Sequence, residues 1–271
     1  MNPRHANLLV FDSGVGGLSI VKHLRSKIPA ASIQYLADNA YLPYGALAEH
    51  RLIDRADELI TSICKKQAID LVVVACNSAS TLVLPRLRKR LDIPVVGVVP
   101  AIKPAALKSK NKVIGLLATE GTIHRDYTDE LIKNFAQDCK VIRVGSSKLV
   151  TMIEQMMRGV EHPLSEFADI LKPLRDHQGW ESLDTVVLAC THFPLAKKQL
   201  SKAAPEINYW IDSGAAISRR VMDLLQQSTA NKNPSSPIPN GALLTDLSDS
   251  NDFLINNFKQ FGFQSVQLLE I

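Results

Sequence analysis

Two cysteines in matching sequence frames are the residues of this chain best suited to chemistry. Ile69–Cys76 reads IDLVVVAC and Leu183–Cys190 reads LDTVVLAC, with five identities in eight positions at a constant offset of 114. The shared Asp, Ala and Cys argue against chance agreement between two Val/Leu runs. Each cysteine ends an apolar run, and residues that cap helices and hydrogen-bond ligands follow it: Asn77 and Ser78 after Cys76, Thr191 after Cys190. Ligands of open parallel sheets bind beyond the carboxyl ends of the strands, where helix N-terminal N–H groups favour a thiolate. Two thiols on opposing domains suit one of two reactions. They can form a redox pair, or they can face opposite sides of one substrate carbon, one removing a proton and the other returning one. The second reaction inverts a stereocentre and needs each site to favour its thiolate, since a free thiol is only a few per cent ionised at neutral pH.

Other groups gather near these two. A second echo, Leu8–Gly14 (LLVFDSG) against Leu116–Gly121 (LLATEG), sets Asp12 opposite Thr119 at an offset of 107. Asp12 heads DSGVGG, whose glycines permit a tight turn and close backbone approach to a ligand. The segment lacks both the full G-x-G-x-x-G spacing and a phosphate-loop Lys, so it fits an anion-holding loop at a helix N-terminus better than a nucleotide site. Asp12 could orient a ligand ammonium, modulate a nearby thiol, or simply close the turn. His192 stands two residues after Cys190, and Cys–His pairing can activate a thiol. Neither residue has a partner at zinc-like spacing, so no metal is expected. Cys64 and Cys139, the latter read as beginning a strand, are taken as small buried hydrophobes. Tyr41–Gly45 (YLPYG) reads as a Pro-directed turn, and Arg86–Arg90 (RLRKR) as a solvated helix face.

The elements that must position these residues alternate. Short β-branched runs at Asn7–Phe11, Ser32–Leu36, Leu71–Ala75 and Val95–Val98 are separated by amphipathic segments such as Glu49–Lys66. The series restarts with a strand over Lys112–Leu117, a helix over Asp126–Ala136, a strand over Lys140–Val144 and a helix over Lys148–Arg158. A polar, Pro-rich segment, Asn231–Gly241, reads as a surface loop before a final strand, helix and strand. Continuous apolar strands between helices predict parallel sheets covered on both faces. The expected class is α/β, with two pseudo-symmetric, doubly wound parallel-sheet domains and the active site in the cleft between them. The length of 271 residues allows two such cores.

Composition excludes several functions. At 46% hydrophobic and 21% charged residues the chain is ordinary globular material, not collagen, coiled coil or disordered tail. Its apolar runs fall short of the roughly 18 residues of a membrane span. Met1–Val10 has no leader-like apolar stretch, which points to the cytosol. A net charge of +4, with no basic run interleaved by aromatics, gives no support to nucleic-acid binding.

Seven segments in this order resemble the glutamate racemases of the aspartate/glutamate racemase family. They are DSGVGG at 12–17, PYG at 43–45, ACNSAS at 75–80, VVPAIKPA at 98–105, ATEGT at 118–122, CTHFPL at 190–195 and DSG at 212–214. The resemblance implies a cofactor-independent enzyme that supplies D-glutamate for peptidoglycan. Cys76 would take the α-proton of D-glutamate and Cys190 that of L-glutamate. Asp12, Ser13, Tyr44, Gly45, Asn77, Ser78, Thr191 and His192 would hold the amino acid, with Asp12 and His192 assisting their nearer cysteines. Thr119 and Thr122 would join the pocket, and Glu154 would pair with His192. The expected domains are 1–98 with 208–271, and 99–207; a homodimer is expected, as is common in the group. Ser78, Ala189 and Phe193 stand where the family usually has Thr, Gly and Tyr, which bears on pocket shape. The N-terminus lacks the extension of members activated by a cell-wall nucleotide precursor, so no such activation is expected. An aspartate or hydantoin racemase, a non-catalytic amino-acid binder and a thiol redox protein are the alternative readings.

Overall fold

The computed structural model describes residues 5–228 and 235–270. The chain divides into two compact units, one running up to Val98 and resuming at Gly214, the other Val99–Ser213. The first opens with β1 (Asn7–Asp12), α1 (Leu18–Lys27), β2 (Ser32–Ala37), α2 (Glu49–Lys66), β3 (Leu71–Val74), α3 (Asn77–Arg90) and β4 (Val95–Gly97). The second holds α4 (Ile102–Lys108), β5 (Val113–Ala118), α5 (Glu120–Ile123), α6 (Asp126–Phe135), β6 (Lys140–Gly145), α7 (Ser147–Met157), α8 (Leu164–Arg175), β7 (Thr185–Leu188), α9 (Lys197–Ala203) and β8 (Tyr209–Ile211). The chain returns to the first unit with α10 (Gly214–Ser228), β9 (Gly241–Leu244), α11 (Asp252–Gln260) and β10 (Ser265–Leu268).

Each unit is built on one parallel sheet, ordered β10-β9-β2-β1-β3-β4 in the first and β6-β5-β7-β8 in the second. The order β2-β1-β3-β4 recurs as β6-β5-β7-β8, so the sequence echo marks a repeated topology. Every residue of β1, β3, β5 and β7 is buried, as strands covered on both faces must be. Around β3 the core gathers Leu52, Leu59, Ile60 and Ile63 from α2 with Val83 and Leu87 from α3. Around β5 and β7 it gathers Ile102 and Ala105 from α4. Packing of this kind costs about 2–5 kcal/mol per Leu or Ile truncated to Ala, so the strand ends are held firmly.

The Asp shared by the two echoed segments serves the fold. Asp184 is buried and accepts hydrogen bonds from Ser109 Oγ (2.7 Å), Lys110 N (2.7 Å), Asn111 N (3.1 Å) and Thr185 Oγ1 (2.8 Å). Burial alone would raise its pKa, but these donors hold it below the ordinary value. Asp70 accepts from Asn7 N (2.8 Å) and Ser235 Oγ (2.7 Å). Both aspartates precede their strands and sit at the end away from the cysteines.

Five expectations change. β8 pairs with β7, so residues 208–213 belong with the second unit rather than the first. Lys112 takes a left-handed φ of 58°, so the strand begins at Val113. Cys139 precedes β6 instead of beginning it. Arg86 and Arg90 are not merely solvated: Arg86 Nε lies 3.0 Å from the buried Asp57 carboxylate on α2, and Arg90 pairs with the same oxygen. Of the loop expected over 231–241, residues 231–234 lie outside the described residues, and the chain from Gly241 is strand β9. No helix among the described residues is long and apolar enough to cross a membrane.

Candidate active site

In the first unit the sheet reverses its strand order at β1, and the chain leaves β1 and the adjacent β3 at the same edge. That is where ligands of such sheets bind. Asp12 ends β1 and is fully buried, and its Oδ1 accepts the Gly14 N–H at 2.9 Å, closing the turn that opens DSGVGG. A side chain at Gly17 would meet the Tyr35 hydroxyl at 2.8 Å and Asp12 Cβ at 3.0 Å, so glycine alone lets α1 start against β1. Ser13 Oγ reaches Cys76 Sγ at 3.8 Å. Cys76, buried, occupies the N-cap position of the 14-residue helix α3 in an extended conformation (φ −71°, ψ 121°). The helix N-terminus therefore places its positive end at the sulfur. Asn77 and Ser78 are the first two residues of α3, both buried. Ser80 ties this corner to the sheet, donating to Val74 O (2.7 Å) and accepting from Val98 N (3.0 Å).

Tyr44 and Gly45 lie on a short 3-10 turn, Tyr44–Ala46, within the segment read as a turn. Tyr44 is buried beside Phe11, and its hydroxyl donates to Asp38 Oδ2 at 2.6 Å. Arg55, from α2, grips the same carboxylate with Nε and Nη2, each at 3.0 Å, and stacks over the Tyr41 ring at 4.8 Å. Burial, then the charge and hydrogen bond of Asp38, push the Tyr44 phenol far above its ordinary pKa, and a thiolate at Cys76 adds to the effect. Tyr44 therefore stays protonated with its donor committed to Asp38.

The second unit repeats the frame with different chemistry. β7 lies beside β5, and Cys190, buried, follows it. No α-helix starts there, contrary to the expectation of a helix N-terminus at both cysteines. The chain turns through Thr191 and His192 into a 3-10 turn, Phe193–Ala196, with Pro194 near its start, and α9 begins only at Lys197. Side chains take over the role of backbone dipoles. His192 Nδ1 faces Cys190 Sγ at 3.8 Å, and His192 Nε2 lies 2.8 Å from Glu154 Oε1. Glu154 comes from α7, and its Oε2 accepts from Arg158 Nη1 at 2.8 Å. Burial opposes a charge on His192, but its hydrogen bonds to Cys190 and Glu154 and their charges prevail, raising its pKa well above 6.5. Thr119 and Thr122 share a hydroxyl hydrogen bond of 3.0 Å, and Thr128 Oγ1 donates to Thr122 O at 2.7 Å. Thr191 is buried.

Within the first unit the structure thus gathers Ser13 and Cys76, and within the second Glu154, Cys190 and His192, with Thr119 and Thr122 paired. The strand ladders match Phe11 to Val74 and Leu117 to Leu188, so the counterpart of Thr119 is Ser13, not Asp12. Runs of Val and Leu can slide by one residue without changing their hydrophobicity, which hid the register. Sequence reasoning missed Asp38, Arg55 and Arg158. Glu154 and Arg158 stand in a visible i, i+4 pair, and Asp38 follows β2 at the same sheet edge as Asp12. Among the described residues, no group of three or more His, Cys, Asp or Glu side chains is placed to hold a metal ion.

Residues 18–221 match the family model for Asp/Glu/Hydantoin racemase. The chain is 46% identical over 269 residues to glutamate racemase of Aliivibrio fischeri, covering 98% of each chain. It is 49% identical over 224 residues to that of Vibrio cholerae, covering 83% of this chain and 82% of that one. Among solved structures it resembles Escherichia coli glutamate racemase, solved in complex with L-glutamate and the activator UDP-MurNAc-ala. That likeness has a TM-score of 0.91 and 40% identity over 98% of both chains. The chain belongs to the Asp/Glu/Hydantoin racemase family.

Proposed function

We propose that this chain interconverts L- and D-glutamate by proton exchange through Cys76 and Cys190, with no cofactor. One observation carries the reading: two buried thiols leave matching strands of two like-ordered parallel sheets in the same frame. The relatives named above supply the substrate. The Cys76 thiolate takes the α-proton of D-glutamate, so the Cα–H bond breaks and an S–H bond forms. The electron pair left on Cα delocalises into the carboxylate, and the Cys190 thiol returns a proton to the opposite face. L-glutamate runs the same steps in reverse. Asp12, Ser13, Asn77 and Ser78, with the Tyr44–Gly45 backbone, are the amino-acid-holding residues near Cys76, and Thr191 and His192, with Thr119 and Thr122, are those near Cys190.

The same reading places the enzyme in the cytoplasm as a homodimer, feeding D-glutamate into peptidoglycan. Light scattering on the purified chain checks the dimer. The E. coli structure holds the activator UDP-MurNAc-ala, and adding that nucleotide to the assay tests the expectation that this chain takes none.

The test is purified protein with L-glutamate in deuterated water and no added cofactor, following optical rotation and the α-proton signal together. Both signals disappear if the proposal holds. Reaction of aspartate alone would move the substrate, and silence with both would leave a binding or redox protein. A Cys76→Ser variant that still racemises at near the original rate would contradict the two-thiol scheme.

A further inference from the structure

Glu154 is buried between two cations, and only one of them can release a proton. Its Oε1 meets His192 Nε2 at 2.8 Å, and its Oε2 takes Arg158 Nη1 at 2.8 Å. Arg158 follows the last residue of α7, and the same Nη1 also donates to the Glu154 carbonyl at 2.8 Å. Its side chain is 20% exposed and that of Glu154 is 6% exposed, so water screens the pair weakly. The groups that face the imidazole are Glu154 from α7 and Cys190 from the turn after β7, with Arg158 one step behind Glu154.

A buried carboxylate facing a lone imidazolium can take the ring proton and neutralise both. A guanidinium stays charged at any working pH, so Arg158 keeps Glu154 ionised. Splitting the carboxylate between the two cations also commits the Nε2–H of His192 to Oε1, which leaves Nδ1 as the nitrogen that exchanges a proton with sulfur.

We infer that Arg158 is a positioning residue for the Cys190 half of the reaction, acting through Glu154 and His192 and leaving Cys76 untouched. The inference rests on the racemase reading for its consequence in turnover, but the state of His192 can be read without turnover. An arginine at the end of α7 also suits the helix dipole, so a purely structural role is the competing explanation.

The test compares wild type with Arg158→Gln and Arg158→Lys. Nitrogen-15 NMR of labelled histidine follows the titration of His192, assigned among the seven histidines by its disappearance in His192→Asn. In Arg158→Gln the ring proton passes to Glu154 and the His192 midpoint falls by about one pH unit, and Arg158→Lys restores most of the difference; a rise, the direct effect of removing a neighbouring cation, would mean that Glu154 stays ionised without Arg158 and would overturn the role.

Turnover gives the second readout. The equilibrium constant between enantiomers is one, so kcat/KM falls equally in both directions and cannot locate the damaged step. The primary isotope effect can. In Arg158→Gln it grows with α-deuterated L-glutamate, whose deuteron Cys190 removes, and shrinks with α-deuterated D-glutamate. An unmoved His192 titration, or isotope effects that change equally for both enantiomers, would overturn the role of Arg158. If Arg158→Gln fails to fold, Arg158→Met, which keeps the aliphatic stem and drops the charge, decides by the same two readouts. A shifted His192 titration in a protein whose wild type does not racemise would sustain the role of Arg158 and sink the racemase reading instead.

Discussion

Around Cys76 the fold offers backbone dipoles, and around Cys190 it offers side chains. Strand β3 hands over directly to a 14-residue helix with Cys76 at its N-cap, while β7 passes through a turn and a 3-10 segment in which His192 lies beside the sulfur. Both units then use one device in different ways. A buried carboxylate gripped by an arginine holds the polar tip of a ring: Arg55–Asp38–Tyr44 in the first, Arg158–Glu154–His192 in the second. In the first unit the ring is a phenol that stays protonated and can only position. In the second it is an imidazole that can carry a proton. Equivalent frames in a repeated topology can thus reach one chemical end by a fixed dipole on one side and a proton relay on the other.

The contrast breaks most visibly at the sulfurs. Cys76→Ser and Cys190→Ser each lower racemisation by about 10³-fold or more, since a serine hydroxyl is far less acidic than a thiol and supplies almost no anionic base at working pH; polarimetry with L- and D-glutamate checks this. His192→Asn removes the relay and lowers the rate by about 10²-fold. Asp38→Asn, its counterpart on the positioning side, lowers the rate by about tenfold or less while costing about 1–3 kcal/mol of stability, because Tyr44 and Arg55 lose the shared charge and one of its two acceptor oxygens. Steady-state kinetics and urea unfolding separate the two. Equal kinetic penalties for His192→Asn and Asp38→Asn would erase the distinction between relay and clamp.

The smallest effect lies in the pH dependence of folding. His192 binds its proton more tightly in the folded chain than its ordinary 6.5. Below about pH 6.5 both states carry the proton and the stabilisation is complete. As pH rises through the raised value, the unfolded chain has already released its proton, so stability falls. Glu154→Gln removes the carboxylate and flattens that slope, which chemical unfolding between pH 6 and 9 measures.

Much of this was legible in the chain because parallel strands buried on both faces must be continuously apolar. The Ile69–Cys76 and Leu183–Cys190 runs therefore announced both the strands and their ends. What stayed hidden was set by three-dimensional neighbours. The slide of one residue that pairs Ser13 rather than Asp12 with Thr119 does not alter an apolar run. Pairing of β8 with β7 moves residues 208–213 to the second unit, and no local sequence signal records that ladder. The Asp38–Arg55 clamp joins a strand end to a helix 17 positions away, beyond the helical spacing that makes Glu154 and Arg158 readable as a pair. The shared Asp of the two echoes was legible as a repeat, but its work of anchoring strand entries needed the hydrogen bonds of Asp70 and Asp184.

The most direct test of two thiols with separate duties is α-proton exchange in deuterated water, resolved by enantiomer, in the two single variants. Cys190→Ser should wash deuterium into D-glutamate through Cys76 without inverting it and leave L-glutamate untouched, and Cys76→Ser should do the converse. Exchange of both enantiomers by either variant, or continued racemisation without one thiol, would contradict the assignment of one face to each cysteine.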